Sequence, residues 1–232
     1  MLISPPAATK LKQAGIHTWF TTREAGNLDP HLPGLSTPEQ KNTLKNRKKL
    51  QDVVGHRLRF SHHEHGTHVL DGATPQVEPY GDAWCATIPG GFSILAADCL
   101  PVLFADPAKR VVAAAHAGRI GLLAGVLTTT VEQMRARGAE NISALIGPRI
   151  CGKCYEISPS MAQELHRGHI PIVTSRWGGP ALDLPAIASQ QLAAHNVEVW
   201  DSSWCTLEDS RFFSHRSADR GHGRHAAVIA LD

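Results

Sequence analysis

Hydrophobic and polar positions along the chain follow two periodicities. Short runs rich in β-branched and aromatic residues predict strands, and apolar positions at helical spacing predict helices. Strands and helices follow one another without a regular β-α-β alternation, so we predict an α+β fold of mixed β-sheets flanked by helices. The predicted strands are residues 16–22, 57–61, 83–88, 92–97, 110–116, 141–147, 197–200, 212–215 and 226–231, and the predicted helices are residues 36–54, 122–137, 159–166 and 184–194, with a turn at 117–121.

The length and composition are those of an ordinary globular protein. A chain of 232 residues suits one domain, which we assign to residues 1–232. With 42% hydrophobic and 19% charged residues and a net charge of +2, the chain gives no reason to expect a nucleic-acid or membrane partner. The first residues do not show the pattern of a secretory signal. We therefore expect a cytoplasmic protein, as a monomer or a weak homodimer.

Residues suited to metal binding lie at the ends of two strongly apolar segments. Such segments are typical of strands buried on both faces. Asp98 and Cys99 directly follow the first of them, and His116 ends the second. His65 belongs to a third segment, residues 61–68, which contains four histidines. Imidazole and thiolate are ligands that zinc prefers, and three protein ligands leave a fourth position for water or substrate, as in catalytic zinc sites.

Spacing alone leaves several interpretations of these residues open. A buried histidine or cysteine is more often a packed core residue than a ligand, and composition does not choose among the four histidines of residues 61–68. Asp98 fits a general acid or base, a group that orients a ligand, or a hydrogen-bonding residue at a strand end. Arg47, on the polar first helix, is more often a solvated charge than a substrate anchor.

The five cysteines are an odd number, and no export signal is predicted, so we do not expect a disulfide framework. Cys151 and Cys154 are separated by two residues, and no second pair of cysteines has that spacing. They fit a redox pair, half of a second metal site, or packing residues in a turn, and we favour packing. Cys85 and Cys205 are expected to be structural.

Four segments resemble, in order, the signature segments of the YfiH family, which is also called the laccase-domain family. They read Ala-Asp-Cys-Leu-Pro-Val-Leu from residue 97, Ala-His-Ala-Gly from residue 115, Ile-Gly-Pro from residue 146 with Cys-Tyr-Glu-Ile from residue 154, and Cys-Thr from residue 205 with Arg-Phe-Phe-Ser-His-Arg from residue 211. Weaker matches extend the resemblance over roughly residues 16–231. Members are catalogued as polyphenol oxidase (laccase), as peptidoglycan editing factor, and as purine nucleoside phosphorylase with adenosine deaminase activity.

The resemblance implies a fold, a metal site and an activity. The fold would be a CNF1/YfiH-like layered sandwich. The metal site would consist of two histidines and one cysteine, which fall on His65, Cys99 and His116 in this sequence, with zinc expected rather than copper. The activity would be that of a zinc-dependent purine nucleoside phosphorylase and adenosine deaminase acting on adenosine, inosine and related nucleosides.

Our leading hypothesis is therefore phosphorolysis or deamination of a purine nucleoside, with catalytic roles for Asp98, Cys99 and His116. Zinc lowers the pKa of a bound water to about 7, which suits attack on C6 of adenine. Phosphorolysis also needs an anion site, and arginine binds phosphate through two N–H donors. The candidates are Arg23, Arg47 and Arg119.

The sequence departs from the family pattern next to the third ligand. Many members read His-Ala-Gly-Trp-Arg-Gly, whereas this chain reads His-Ala-Gly-Arg-Ile-Gly from residue 116. The arginine therefore stands one position earlier, at Arg119. The glycine-rich stretch after the first strand is also altered, around Arg23. Both changes concern the substrate pocket more than the metal site.

Three other functions compete with this hypothesis. A hydrolase that edits peptidoglycan precursors could use zinc to activate water, or it could use Cys99 as nucleophile with His116 as base. A copper polyphenol oxidase needs several copper sites rich in His-x-His pairs, and the sequence offers little of that pattern. A binding module with a structural metal would close the fourth ligand position with His62 or His68.

Overall fold

Two mixed β-sheets packed face to face form the centre of the structure. The computed structural model describes residues 1–4, 6, 8–219 and 222–232. The strands are β1 Leu2–Ile3, β2 Ile16–Thr21, β3 Leu58–Arg59, β4 Val69–Asp71, β5 Ala83–Ala86, β6 Gly90–Ala96, β7 Leu100–Asp106, β8 Val111–Ala117, β9 Ser143–Ile146, β10 Ile172–Thr174, β11 Pro180–Leu182, β12 Glu198–Asp201 and β13 His225–Leu231. The helices are α1 Ala8–Gln13, α2 Thr37–Val54, α3 Arg119–Leu123, α4 Val126–Ala136, α5 Pro159–Arg167 and α6 Leu184–Ala194. Among these described residues, no helix has the length and apolar character needed to cross a membrane.

Each of the two sheets contains both parallel and antiparallel pairs. The first sheet has the strand order β1-β2-β13-β6-β3, and the second has the order β12-β9-β7-β8-β5-β4. β3 pairs in parallel with β6, β4 with β5, and β12 with β9, whereas the other pairs are antiparallel. β10 and β11 pair with each other, apart from both sheets. The predicted α+β fold with mixed sheets is confirmed.

Alternate side chains of the central strands pack into different layers. In β7, Leu103 and Ala105 face the first sheet, whereas Val102 and Phe104 pack in the core that α4 and α6 complete. α2 covers the outer face of the first sheet through Leu50 and its neighbours. The order of layers is therefore helix, sheet, sheet, helix. Because both faces of β6 and β8 are covered, their side chains are mostly apolar, as the sequence predicts for residues 92–97 and 110–116, whereas β7, which is covered in the same way, is not among the predicted strands.

The predicted first long helix is confirmed as α2. Ser36 caps its N-terminus in a capping box, and the Glu39 carboxylate accepts a hydrogen bond from the Ser36 backbone N at 2.8 Å. Gly55 ends the helix with a φ of 76°, a left-handed conformation that glycine adopts without strain.

Two predictions of local structure are wrong. Residues 117–121 are not only a turn, because α3 begins at Arg119, and Gly125, with a φ of 94°, separates it from α4. Residues 212–215 form no strand, although Phe212 is fully buried. This segment packs as a loop at the end of the first sheet, where burial produces an apolar pattern without strand pairing.

His225, at the start of β13, is a titratable group inside the first sheet. Its side chain is fully buried, and its ring centroid lies 5.6 Å from that of Phe212. Burial is the largest cause that lowers the pKa of His225, to about 4. The ring is therefore neutral at neutral pH, whereas the same histidine in the unfolded chain titrates at a pKa of about 6.5.

Folding stability should fall as the pH decreases through this interval, because the unfolded chain binds a proton that the folded chain excludes. Between about pH 7.5 and pH 5 we expect the wild type to lose about 2 kcal/mol more unfolding free energy than His225→Asn, which does not titrate. Urea unfolding of both proteins at the two pH values measures this difference. Equal losses would contradict the prediction.

Candidate metal centre

The chain passes from one sheet to the other beside the first candidate ligand. β6, in the first sheet, ends at Ala96, and β7, in the second sheet, begins at Leu100. Within the crossing, Asp98 has a φ of 81°, a left-handed conformation that is costly for a residue other than glycine. The crossing places half-buried Cys99 at one end of the sandwich.

Two histidines reach Cys99 from other parts of the chain. His116 is buried in β8, where it lies opposite Pro101 of β7. His65 comes from the segment between β3 and β4. The three ligand atoms lie within 4.8 Å of one another, and the distance from Cys99 Sγ to His65 Nε2 is 4.0 Å. The structure thus brings the three predicted metal ligands together, and the group could hold one metal ion.

Gly118 provides the space in which these side chains meet. It follows β8 directly and is the N-cap of α3. A Cβ atom at this position would lie 2.6 Å from His65 Cδ2 and 3.2 Å from Cys99 Sγ. The Ala-His-Ala-Gly motif therefore contributes one ligand, His116, and also the room for the other two.

The Asp82 carboxylate orients two of the ligands. Its Oδ1 accepts a hydrogen bond from the His65 backbone N at 3.0 Å and lies 2.9 Å from His116 Nδ1. Its Oδ2 accepts from the backbone N of Gly66 at 2.8 Å and of Glu64 at 3.2 Å. Because Nδ1 of His116 is engaged, Nε2 is the ring nitrogen available to a metal.

The sequence patterns did not indicate Asp82. The one local signal is an acidic residue directly before the buried strand β5, and strand ends carry such residues for many reasons. Its two ligand partners are 17 and 34 positions away in the chain. Only the fold shows that this carboxylate contacts two of the candidate ligands.

Charge interactions favour an ionised Cys99 in the metal-free protein. Burial alone raises the pKa of the Cys99 thiol, but the charge of His116 and hydrogen bonds from His116 and His65 outweigh it and lower this pKa to about 6. Burial likewise lowers the pKa of His116, but Cys99 and Asp82 reverse the effect and raise it to about 9. A cation that replaces the imidazolium proton therefore meets a thiolate.

No fourth protein ligand joins the three among the residues that the structure describes. His62 stacks on Tyr80, with ring centroids 5.0 Å apart, and His68 Nδ1 lies 3.1 Å from the Tyr80 carbonyl oxygen. His63 stacks on His116, with ring centroids 4.3 Å apart. Burial, with the nearby charge of His116, keeps the pKa of His63 well below its ordinary value.

The centre faces a cavity of about 610 Å³, which its three ligands help to line. One wall carries an aromatic cluster that consists of His31, His62 and Tyr80. Within this cluster the His31 and His62 centroids are 4.6 Å apart. Arg47 and Arg224 contribute guanidinium groups to the same cavity. A nucleoside-sized molecule fits this volume.

The two arginines of the large cavity differ in their partners. Arg47 Nη1 is paired with Glu78 Oε1 at 2.8 Å, and its guanidinium carbon lies 3.9 Å from the Phe60 ring centroid. The pKa of Arg47 is lowered by burial, which the charge of Glu78 partly offsets. Arg224 Nη1 donates to a neighbouring carbonyl oxygen, and within the described ranges no carboxylate forms a salt bridge with it.

A smaller cavity of about 130 Å³ lies on another side of Cys99. Arg119 and Asp98 line it. Both oxygens of Asp98 are engaged: Oδ1 accepts from the Thr206 hydroxyl at 2.5 Å, and Oδ2 accepts from the Arg216 backbone N at 2.9 Å. These contacts favour the strand-end hydrogen-bonding role of Asp98 over that of a free acid or base.

The structure separates the three predicted phosphate-binding arginines. Arg47 lies in the large cavity and Arg119 in the small one, whereas exposed Arg23 lines neither and contacts the Ser210 carbonyl oxygen at 3.4 Å. Two other residues of the cavities were not selected from the sequence, although both belong to segments that resemble the family. They are Arg224 and His215, the second of which lines both cavities.

The family model described as "Multi-copper polyphenol oxidoreductase laccase" matches residues 17–232. The chain belongs to this family.

A protein of Deinococcus radiodurans named purine nucleoside phosphorylase is 34% identical, over 91% of this chain and 88% of its own length. The purine nucleoside phosphorylase ORF3 of Streptomyces griseus is 47% identical, but the match spans 60% of this chain and 58% of that protein. The crystal structure of the Bacillus licheniformis hypothetical protein YfiH, 26% identical, superposes with a TM-score of 0.80 and covers 94% of this chain and 93% of that one. The predicted resemblance to the YfiH family is confirmed.

Asp82→Asn should weaken metal binding, with zinc as the probe, by about 10- to 100-fold, because the amide keeps the size of the side chain but loses the charge that orients His116. Competition with a chromophoric chelator measures the affinity. Asp106→Asn is a matched control, since Asp106 is also fully buried and accepts three backbone N–H groups, but at the opposite end of β7. A similar loss of zinc affinity in both variants would show general destabilisation instead.

Proposed function

We propose that this protein is a zinc-dependent purine nucleoside phosphorylase that also deaminates adenosine. The observation that carries the proposal is the position of His65, Cys99 and His116, which meet at the wall of a cavity with aromatic and basic sides. Relatives named purine nucleoside phosphorylase support the same substrate class.

The donor set fits zinc. Two imidazoles and a thiolate, with no fourth ligand among the described residues, match the ligands of catalytic zinc sites. The Asp82–His116 hydrogen bond is the kind of contact that fixes a ligating histidine in one tautomer. Zinc held there would supply a Lewis acid and activate a water molecule at neutral pH.

The aromatic cluster of His31, His62 and Tyr80 suits the purine base. A purine is flat and stacks on aromatic rings, which excludes water from both faces in contact. Tyr80 is 63% exposed, so part of its surface is free to take a ligand. We therefore place the base on this wall of the large cavity.

Arg224 is the best candidate for phosphate in the large cavity. Its charge is not neutralised by a carboxylate in the described residues, whereas the charge of Arg47 is neutralised by Glu78. In phosphorolysis a phosphate oxygen bonds to C1′ of the ribose, and the purine leaves with the electrons of the C1′–N9 bond and gains a proton. Arg224 would hold the phosphate, and the histidines that line the cavity are candidate proton donors.

Deamination would use the same cavity without phosphate. Water oxygen bonds to C6 of adenine, and the amino group leaves as ammonia after it gains a proton. C6 and C1′ lie on different sides of the purine, so deamination would place C6 at the metal, whereas phosphorolysis would place C1′ within reach of a phosphate at Arg224. Both the metal ligands and Arg224 line the cavity of about 610 Å³.

The test is incubation of zinc-loaded protein with adenosine and inosine, with and without phosphate, followed by chromatography of the products. We expect free base and ribose 1-phosphate only when phosphate is present, and inosine with ammonia from adenosine in both conditions. Cys99→Ser should lose both activities together with the zinc held by His65, Cys99 and His116.

Metal analysis of the same samples separates the alternatives. If no nucleoside reacts, a hydrolase of peptidoglycan precursors becomes the better hypothesis, with Cys99 as nucleophile or with zinc. Copper as the tightly bound metal, together with oxidation of phenols, would favour the polyphenol oxidase instead.

A pair of arginine variants tests the anion site. Arg224→Gln should raise the KM for phosphate by about 10- to 100-fold, the effect of losing hydrogen bonds to a charged group, and should leave deamination nearly unchanged. Arg23→Gln, which removes an exposed arginine outside both cavities, should change neither activity. Steady-state kinetics of both reactions provide the comparison. A large effect of Arg23→Gln with none of Arg224→Gln would overturn the assignment.

A further inference from the structure

A second group of metal-binding side chains lies apart from the nucleoside site. The sequence contains one Cys-x-x-Cys pair, Cys151 and Cys154, without a second pair of cysteines. In the structure it meets Cys205 and Glu208, which have the same two-residue spacing. The four ligand atoms lie within 4.8 Å of one another, and Cys151 Sγ is 3.7 Å from Glu208 Oε2.

Backbone hydrogen bonds hold both pairs in matching turns. The backbone N of Cys154 donates to the Cys151 carbonyl oxygen at 2.9 Å, and the N of Glu208 donates to the Cys205 carbonyl oxygen at 3.1 Å. Arg149 and Cys205 join the two segments in a parallel bridge. The first and last side chains of each turn therefore point to one place without help from a metal.

The surroundings suit a cation with thiolate ligands. Cys154 is 2% and Cys205 6% exposed, and burial raises the pKa of both thiols. Such thiols ionise when a metal displaces their protons. Three thiolates, one carboxylate and a divalent ion would carry two negative charges. Arg176, paired with Glu208, would offset part of this charge, and the Nε of buried Arg149, a residue whose Nη2 is paired with Asp201 at 2.6 Å, has no acceptor among the described residues.

We propose that Cys151, Cys154, Cys205 and Glu208 form a second, structural metal site for zinc or a similar thiophilic divalent ion. Four protein ligands occupy all coordination positions of a tetrahedral ion and leave none for substrate, which is the pattern of structural zinc sites. The site cross-links the loop after β9 to the loop after β12.

The cross-link would act on the crossing turn beside Cys99. The backbone N of Ile150 donates to the Asp98 carbonyl oxygen at 2.9 Å, and the Thr206 hydroxyl donates to Asp98 Oδ1. Each of these residues is adjacent in sequence to a proposed ligand, Cys151 or Cys205. The second metal would therefore brace the left-handed Asp98 without touching substrate.

The experiment counts metal in full-length protein purified with reductant and zinc, by mass spectrometry of the ion content. We expect about two ions per chain for the wild type and for Cys85→Ser, a control that removes another buried cysteine. Cys99→Ser and Cys205→Ser should each keep about one ion, and the double variant none. One ion in the wild type, with none in Cys99→Ser, would overturn the proposal.

Cobalt substitution identifies which site each variant retains. The sulfur-to-cobalt absorption of Cys99→Ser, with three thiolates, should be about three times as strong as that of Cys205→Ser, in which Cys99 is the one thiolate of the remaining site. Should Cys205→Ser fail to fold, Glu208→Gln should keep the three thiolates but lower the cobalt affinity.

A disulfide among the three cysteines in the wild type, found by thiol counting under non-reducing conditions, would also overturn the proposal. None of these readouts depends on nucleoside turnover.

Discussion

The hydrogen bonds of the buried Asp82 carboxylate are the contacts on which the metal centre depends. Removing a carboxylate from water is costly unless hydrogen bonds replace the lost hydration. Here the backbone N–H groups of residues 64–66 and the ring of His116 provide those bonds. Since Asp82 directly precedes β5, the requirement to satisfy its charge joins a loop and the ends of two strands at one point.

The sandwich supplies the second constraint on the site. Because β6 and β7 belong to different sheets, the three residues between them must cross the gap at the end of the core. A short crossing leaves little conformational freedom, and Asp98 adopts a left-handed conformation within it. Its carboxylate and carbonyl are held by groups from three later segments, at Ile150, Thr206 and Arg216. The direction of the Cys99 side chain is therefore set by residues far away in the chain.

Local patterns in the sequence predicted the elements that depend on local physics. The capping box at Ser36 and the mostly apolar strands β6 and β8 are examples, since capping and burial on both faces leave direct signatures. The break at Gly125 was missed because one glycine in an apolar helical pattern is often tolerated. The buried loop around Phe212 was mistaken for a strand because burial, and not sheet pairing, determines its apolar residues.

The site was only partly accessible from the sequence for a related reason. The resemblance to the YfiH family selected His65 from a cluster of four histidines, which spacing alone did not do. Asp82 carries no local pattern that distinguishes it from other charged residues, and Arg224 belongs only to one of the weaker matches to the family. Arg23 and Arg47 were predicted to bind phosphate because they are arginines, but phosphate binding also depends on where the side chain lies and what it contacts. Arg23 lies outside both cavities, and Arg47 is paired with Glu78.

The two clusters of ligands show how distance along the chain obscures a metal site. Cys151 and Cys154 resembled packing residues because one Cys-x-x-Cys pair supplies only two of the four ligands of a tetrahedral metal site. The other two ligands are Cys205 and Glu208, more than 50 positions later in the chain, and Glu208 offers a carboxylate instead of a thiolate. A search for paired cysteines therefore passes over it. Thr206, which follows Cys205, and Ile150, which precedes Cys151, both donate to Asp98, so the geometry at Cys99 and the geometry of the cysteine cluster are coupled through two hydrogen bonds. A change at the cysteine cluster would therefore reach Cys99 through the crossing turn.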